Sequence, residues 1–203
     1  MRKTLKRPWT KFWLSASSIG VVALAAVTLS AGASTQKQPK NGRGTNELTL
    51  AGIRPGQEKL AAFEKLLNEH LHAQPDDGLG SRSWVEPCLG RKVTLEADGA
   101  GIIQSVDIMT GAPHENCKPQ RDEKKDPLWA TGGGLRLGDL AEHVVEVYGP
   151  PSSSGPSVKQ GRELELMFYM FDWAGIDVPQ VMEVSCDKSA GRVVEIMLAF
   201  PSL

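Results

Sequence analysis

Basic charge is not in excess over the bulk of this chain. Its 203 residues hold 23 Lys and Arg against 24 Asp and Glu, and five of the basic residues fall within the first 33, which hold no acidic ones. What remains carries 18 basic and 24 acidic groups, a net charge of −6. The footprint of a nucleic-acid binder is thereby excluded. Motifs for group transfer are missing as well. Gly132-Gly133-Gly134 precedes a helical pattern but lacks the Lys-Ser/Thr of a phosphate loop. Ser152-Ser153-Ser154 is expected in a Pro/Gly-flanked loop with no G-x-S-x-G elbow. The acidic pairs Asp76-Asp77 and Asp122-Glu123 are sequence neighbours in polar segments and belong to solvated surface. His114-Glu115-Asn116-Cys117 gathers three donor types, but no second ligand pair follows at structural spacing. His70 and His72 stand two apart at a helix end, where side chains diverge. Neither a metal site nor a cofactor is expected.

Charge is also absent from Phe12 to Ala33, and here the absence is informative. Arg2, Lys3, Lys6, Arg7 and Lys11 precede this run, Ile19 to Leu29 is its most apolar part, and Ala31-Gly32-Ala33 supplies a small-x-small cleavage pattern. Residues 1–33 are therefore expected to be a secretory signal cleaved after Ala33. The alternative is an uncleaved anchor in the inner membrane, since 22 uncharged residues are long enough to span a bilayer. Five Ser and Thr residues dilute the run and favour cleavage, which leaves no stable membrane anchor. No Cys follows the run, so a lipoprotein is excluded.

Cysteine is scarce. Cys88, Cys117 and Cys186 allow one disulfide at most, in an exported chain where such bonds form. Cys88 and Cys117 flank the expected sheet of the first half, and the second half has no counterpart of either. Closing that loop of about 30 residues removes roughly 3.5 kcal/mol of unfolded-chain entropy. Cys186 is in phase with Met182 and Val184 on the helix-facing side of an expected strand, the place of a buried thiol.

Residues 34–47 are polar, with almost nothing to bury, and are expected to form a disordered leader. The rest divides into two halves, 48–118 and 132–203, joined by a linker at 119–131. Gly52-Ile-Arg-Pro-Gly56 and Gly134-Leu-Arg-Leu-Gly138 share the pattern G-apolar-R-x-G, and each precedes apolar residues at helical spacing. Asp139 and Glu142 form a capping-box variant, and Gly149-Pro150-Pro151 marks a stop. Trp84 matches Trp173, Asp98 matches Asp187, and Val106-Asp107-Ile108 matches Val194-Glu195-Ile196. The expectation is an α+β fold of two tandem repeats, each a short helix packed on a three-stranded antiparallel sheet.

The G-apolar-x-x-G entry, the helix ending in Tyr148-Gly-Pro-Pro151 and the strand carrying Trp173 together resemble the helix-and-sheet module of the SmpA/OmlA (BamE) outer-membrane assembly lipoproteins. The paired arrangement is similar to the β-lactamase inhibitor proteins. The resemblance covers about 70 residues per half and implies a non-catalytic protein that binds other proteins.

The segment from Glu163 to Trp173 is apolar on both faces of a strand, with Leu164, Leu166, Phe168 and Met170 on one and Met167, Tyr169, Phe171 and Trp173 on the other. Both faces must be covered. Either the strand is central and buried, or the face of Met167, Tyr169, Phe171 and Trp173, together with Trp84, is a partner surface of interface composition. The expected function is an exported, non-enzymatic binding or scaffolding protein of the bacterial envelope, engaging another envelope or extracellular protein through a sheet face. The alternative is a secreted or periplasmic hydrolase, which should show a cleft with convergent titratable groups.

Overall fold

The computed structural model describes residues 46–75, 80–113, 126–171 and 180–200. The signal segment, Cys117, Trp173 and nearly all of the expected leader lie outside them. Among the described residues, two α-helices, α1 (Leu60–His70) and α2 (Ala141–Tyr148), accompany eight strands. These are β1 (His72–Ala73), β2 (Ser81–Glu86), β3 (Arg91–Ala97), β4 (Ile103–Thr110), β5 (Ser153–Lys159), β6 (Arg162–Phe171), β7 (Gln180–Asp187) and β8 (Arg192–Ala199). Among the described residues no helix is long and apolar enough to cross a membrane.

The strands form one antiparallel sheet in the order β1-β2-β3-β4-β8-β7-β6-β5. This corrects the expectation of two repeats, each with its own three-stranded sheet. The joining seam is β4 with β8, where Val106 opposes Leu198 and Ile108 opposes Ile196, all four fully buried. With apolar side chains on both strands, either would leave a sticky open edge if the halves were separate. Pairing them removes two edges at once. The matched turns nevertheless do the same local work. Asp98 Oδ1 accepts from the backbone N–H groups of Ala100 and Ile102 after β3, and Asp187 Oδ1 from those of Ser189 and Ala190 after β7. Gly56 N–H donates to Ile103 O and Gly138 N–H to Val193 O, docking each helix entry on the last strand of its half.

Both helices cover one face of the sheet. Leu67 of α1, Val144 and Tyr148 of α2, and Val93, Leu95, Met182 and Val184 of the strands belong to a single buried cluster. Two local readings are corrected. Asp139 does not cap α2, whose N-cap is Leu140; its Oδ2 accepts from Arg136 N–H at 2.8 Å and closes the preceding turn. Ser153 and Ser154 belong not to a loop but to the edge strand β5, where Pro156 removes a donor from the ladder. Residues 126–131, placed in a linker by composition, include a 3₁₀ turn at Pro127–Trp129 with Leu128 and Trp129 buried. Helix α2 does stop at Gly149, with φ +79°.

Glu47 is tied into the fold by its carboxylate. Its carboxylate is buried and accepts from the N–H groups of Leu48, Thr49, Gly132 and Gly133 at 2.7–3.1 Å, and from the Tyr148 hydroxyl at 2.6 Å. Tyr148 also shares a 2.6 Å hydrogen bond with Thr131 Oγ1. Burial, then the hydrogen bond to Glu47, pushes the Tyr148 phenol well above its ordinary value. The backbone approach is close: a Cβ on Gly132 would stand 2.4 Å from Thr49 Oγ1, and one on Gly133 2.9 Å from the Tyr148 hydroxyl. The triple glycine that is no phosphate loop is a cradle for a carboxylate of the same chain.

Candidate functional site

The residues expected at a partner surface are placed on the helix-covered face. Trp84 is 2 % exposed, and its indole N–H donates to Asn68 Oδ1 of α1 at 2.7 Å. Tyr169 is 3 % and Phe171 5 % exposed; they pack against Tyr148 with ring centroids 5.8 and 5.9 Å apart, and the Tyr169 hydroxyl donates to Gly149 O. Met167 is partly buried against the same cluster. Trp173 lies outside the described residues, as does Cys117, while Cys88 sits in the turn between β2 and β3. Cys186 is a buried free thiol on the helix side, its pKa pushed up to about 11 by burial and then by Glu165 and Glu142. Because Tyr169 and Phe171 face α2, the other face of β6 points away from the helices.

That second face can be followed strand by strand through the register. One row runs Met170, Val181, Ala199, Ser105, Glu96 from β6 to β3. The next runs Phe168, Glu183, Met197, Asp107, Thr94. A third runs Leu166, Ser185, Glu195, Met109, Lys92. No helix of the described residues packs on these rows. Met170 is 54 % exposed, and Phe168, Val181 and Met197 are half-buried.

The third row is partly covered by the end of the β5–β6 hairpin, whose two-residue turn at Gln160-Gly161 takes left-handed φ at both positions. Lys159 at that end pairs with Glu195, and Arg162 donates to Thr110 O at 3.4 Å. Gln160, Lys92 and Met109 help line a depression of about 260 Å³ beside it. Glu195 is 6 % exposed and also accepts from Ser185 Oγ at 3.3 Å. Burial works against the Lys159 ammonium, but the hydrogen bond and charge of Glu195 outweigh it and its pKa is raised.

Asp107 lies beside Glu195 and is less well provided for. Its Oδ1 is buried without a hydrogen-bond partner, as is Thr94 Oγ1 directly across the β3–β4 ladder. Burial, then the charge of Glu195, raises its pKa from 3.8 to about 7, against the opposing pull of Lys159 and Lys92. The reading of single motifs missed both carboxylates, yet a signal was present. Each sits between apolar neighbours in a matched strand, Val106-Asp107-Ile108 and Val194-Glu195-Ile196. The pairing of β4 with β8 brings the two together at the centre of the sheet.

Comparison with known proteins adds no relative: no family model, curated protein sequence or solved structure matches the chain.

Proposed function

We propose that this chain is an exported, non-catalytic binding or scaffolding protein of the bacterial envelope that engages another envelope or extracellular protein through the helix-free face of its sheet. The observation that carries this reading is the unequal treatment of β6. Its Tyr169 side is closed by α2, while Phe168 and Met170 on the other side keep access to solvent on a sheet eight strands wide. With Val181 and Met197 they form a contiguous apolar patch, and such patches mark interaction surfaces. The likeness of the helix entries to the SmpA/OmlA modules and the signal-like N-terminus support the same reading. A photo-crosslinking residue at Met170, introduced in the cells that make the protein, should give a defined adduct, whereas the same residue at exposed Glu69 on α1 should not. Equal labelling at both positions, or none at Met170, would refute it.

The hydrolase reading keeps one observation in its favour, the Asp107–Glu195 carboxylate pair with one member titrating near neutrality. Around that pair, among the described residues, Ser185 donates to Glu195 and Lys159 is held by Glu195, with no His beside them. Turnover abolished by Asp107→Asn in a protein that melts no lower than the parent would favour the enzyme.

A further inference from the structure

The two rows of the sheet face beyond the β5–β6 hairpin have an unusual composition. Together they present Met170, Val181, Phe168 and Met197 as apolar groups and Glu96, Glu183 and Asp107 as carboxylates. They contain no Lys, Arg or His. The face's basic side chains, Lys92, Lys159 and Arg162, all lie towards the hairpin end, and Lys159 and Arg162 are engaged there. An apolar and acidic strip of this kind repels a second copy of itself, an anionic lipid surface and nucleic acid alike. It complements a cationic, apolar partner.

Spacing narrows the partner further. In the row Phe168, Glu183, Met197, Asp107 the character alternates apolar, acidic, apolar, acidic, one residue per strand. Neighbouring strands are about 4.8 Å apart, so the row is about 14 Å long. A helix laid across the strands advances about 5.4 Å per turn, and residues at i, i+3 or i+4, i+7 and i+11 fall on one face. It therefore meets each strand with roughly one turn. An extended segment laid the same way places same-face residues about 6.8 Å apart and loses step after the first pair.

On these grounds, and resting on the partner-binding reading above, we infer that the rows of Met170 and Phe168 dock an amphipathic helix of a partner protein whose contact face alternates apolar and basic residues turn by turn. Glu183 receives one cation, whose aliphatic stem lies along Phe168 and Met197. The Phe168 ring adds a cation–π contact when the cation is a guanidinium. Glu183 carries this recognition, and Asp107, two strands along the same row with its Oδ1 enclosed, makes no direct contact with the partner.

The test uses the mature protein and two synthetic helices of about 16 residues, ~24 Å long, built on Ala and Gln. One carries Leu-Arg-Leu-Arg at successive turns of one face; in the other Glu replaces Arg. Titration by calorimetry or NMR in low salt should show the Arg helix binding about tenfold or more tighter than the Glu helix, with affinity falling as salt is added. Glu183→Lys should weaken the Arg helix about tenfold, and Glu183→Gln by an intermediate factor. Glu163→Lys, the same charge change at an exposed residue of β6 facing the other way, should alter it by less than about twofold. Equal binding of both helices, no binding by either, or equal effects of the changes at Glu163 and Glu183 would overturn the inference. A defined adduct from the Met170 crosslinker alongside any of those results would leave partner binding standing and remove only its basic-helix chemistry. Absence of the adduct as well would remove both.

Discussion

Replacing Asp107 by Asn should make this protein more stable at pH 8 and leave it unchanged at pH 4. Asp107 stands at the centre of the sheet, beside Glu195, with one carboxylate oxygen buried and unmatched. In the unfolded chain it titrates at its ordinary 3.8; in the folded protein it titrates at about 7. Below pH 3.8 both states hold the proton and nothing depends on pH. Between 3.8 and 7 the unfolded chain has lost the proton and the folded chain keeps it, so stability falls as pH rises. Above about pH 7 the loss is complete. Each decade is worth 1.36 kcal/mol, so the full cost of ionising this carboxyl in place is about 4 kcal/mol, less whatever relaxation of Lys92 and Lys159 towards it recovers. Asn keeps the shape and never ionises. At pH 8 the variant should gain about 2 kcal/mol or more, which for a domain of this size is roughly 4–8 °C in melting temperature. Melting curves followed by circular dichroism at pH 4, 6 and 8 measure it, with urea titrations as a second reading. If Asp107→Asn melts below the parent at pH 8, the ionised carboxylate is being held by a favourable contact, and burial does not dominate this site.

Three other outcomes follow from the same structure. Glu47→Gln should cost about 2–4 kcal/mol, because an amide cannot accept from the four backbone donors and the Tyr148 hydroxyl that converge on the carboxylate; Gly133→Ala should destabilise through the same contact, both read by urea titration. Tyr169→Ala should cost about 3–5 kcal/mol as a buried aromatic truncation, while Met170→Ala one position along should change stability by under about 0.5 kcal/mol, both read from melting curves. Cys186 should resist a thiol reagent in the folded protein, since its thiol is buried and titrates at about 11, and react once urea unfolds the chain; peptide mapping of the unfolded, unreduced protein should find it as the one unpaired thiol, with Cys88 joined to Cys117.

Much of the local structure was legible because it depends on residues close in sequence. The strand carrying Val93 and Leu95, the turns at Asp98 and Asp187, the end of α2 at Gly149 and the inward phase of Cys186 all follow from period-two alternation or from a side chain bonding its own turn. The joining of the two halves did not follow, because it depends on β4 meeting β8. The contact lies about 90 residues apart in the chain, and only the unused edges of two apolar strands hint at it. Glu47 was illegible for a similar reason. A lone carboxylate at the end of a polar leader gives no sign that its donors wait at Gly132 and Gly133.

The candidate site was hidden by its own ordinariness. Strand β6 is apolar on both sides, and amino-acid type alone left open whether the strand is buried throughout or its Tyr169 and Phe171 side meets a partner. Hydrogen bonding accounts for the burial of the aromatic side. Tyr169 satisfies its hydroxyl on Gly149 O and Tyr148 satisfies its own on Glu47 and Thr131, so α2 and β6 can bury their aromatic rings at no polar cost. Phe168 and Met170 carry no polar group that needs a partner, so nothing ties them to the interior, and the register turns them to the face that Asp107, Glu183 and Glu195 share. A carboxylate between two apolar residues in a strand is costly if that face is closed and useful if it is open. Asp107 and Glu195 occupy such positions in β4 and β8, and the seam between those strands sets them side by side.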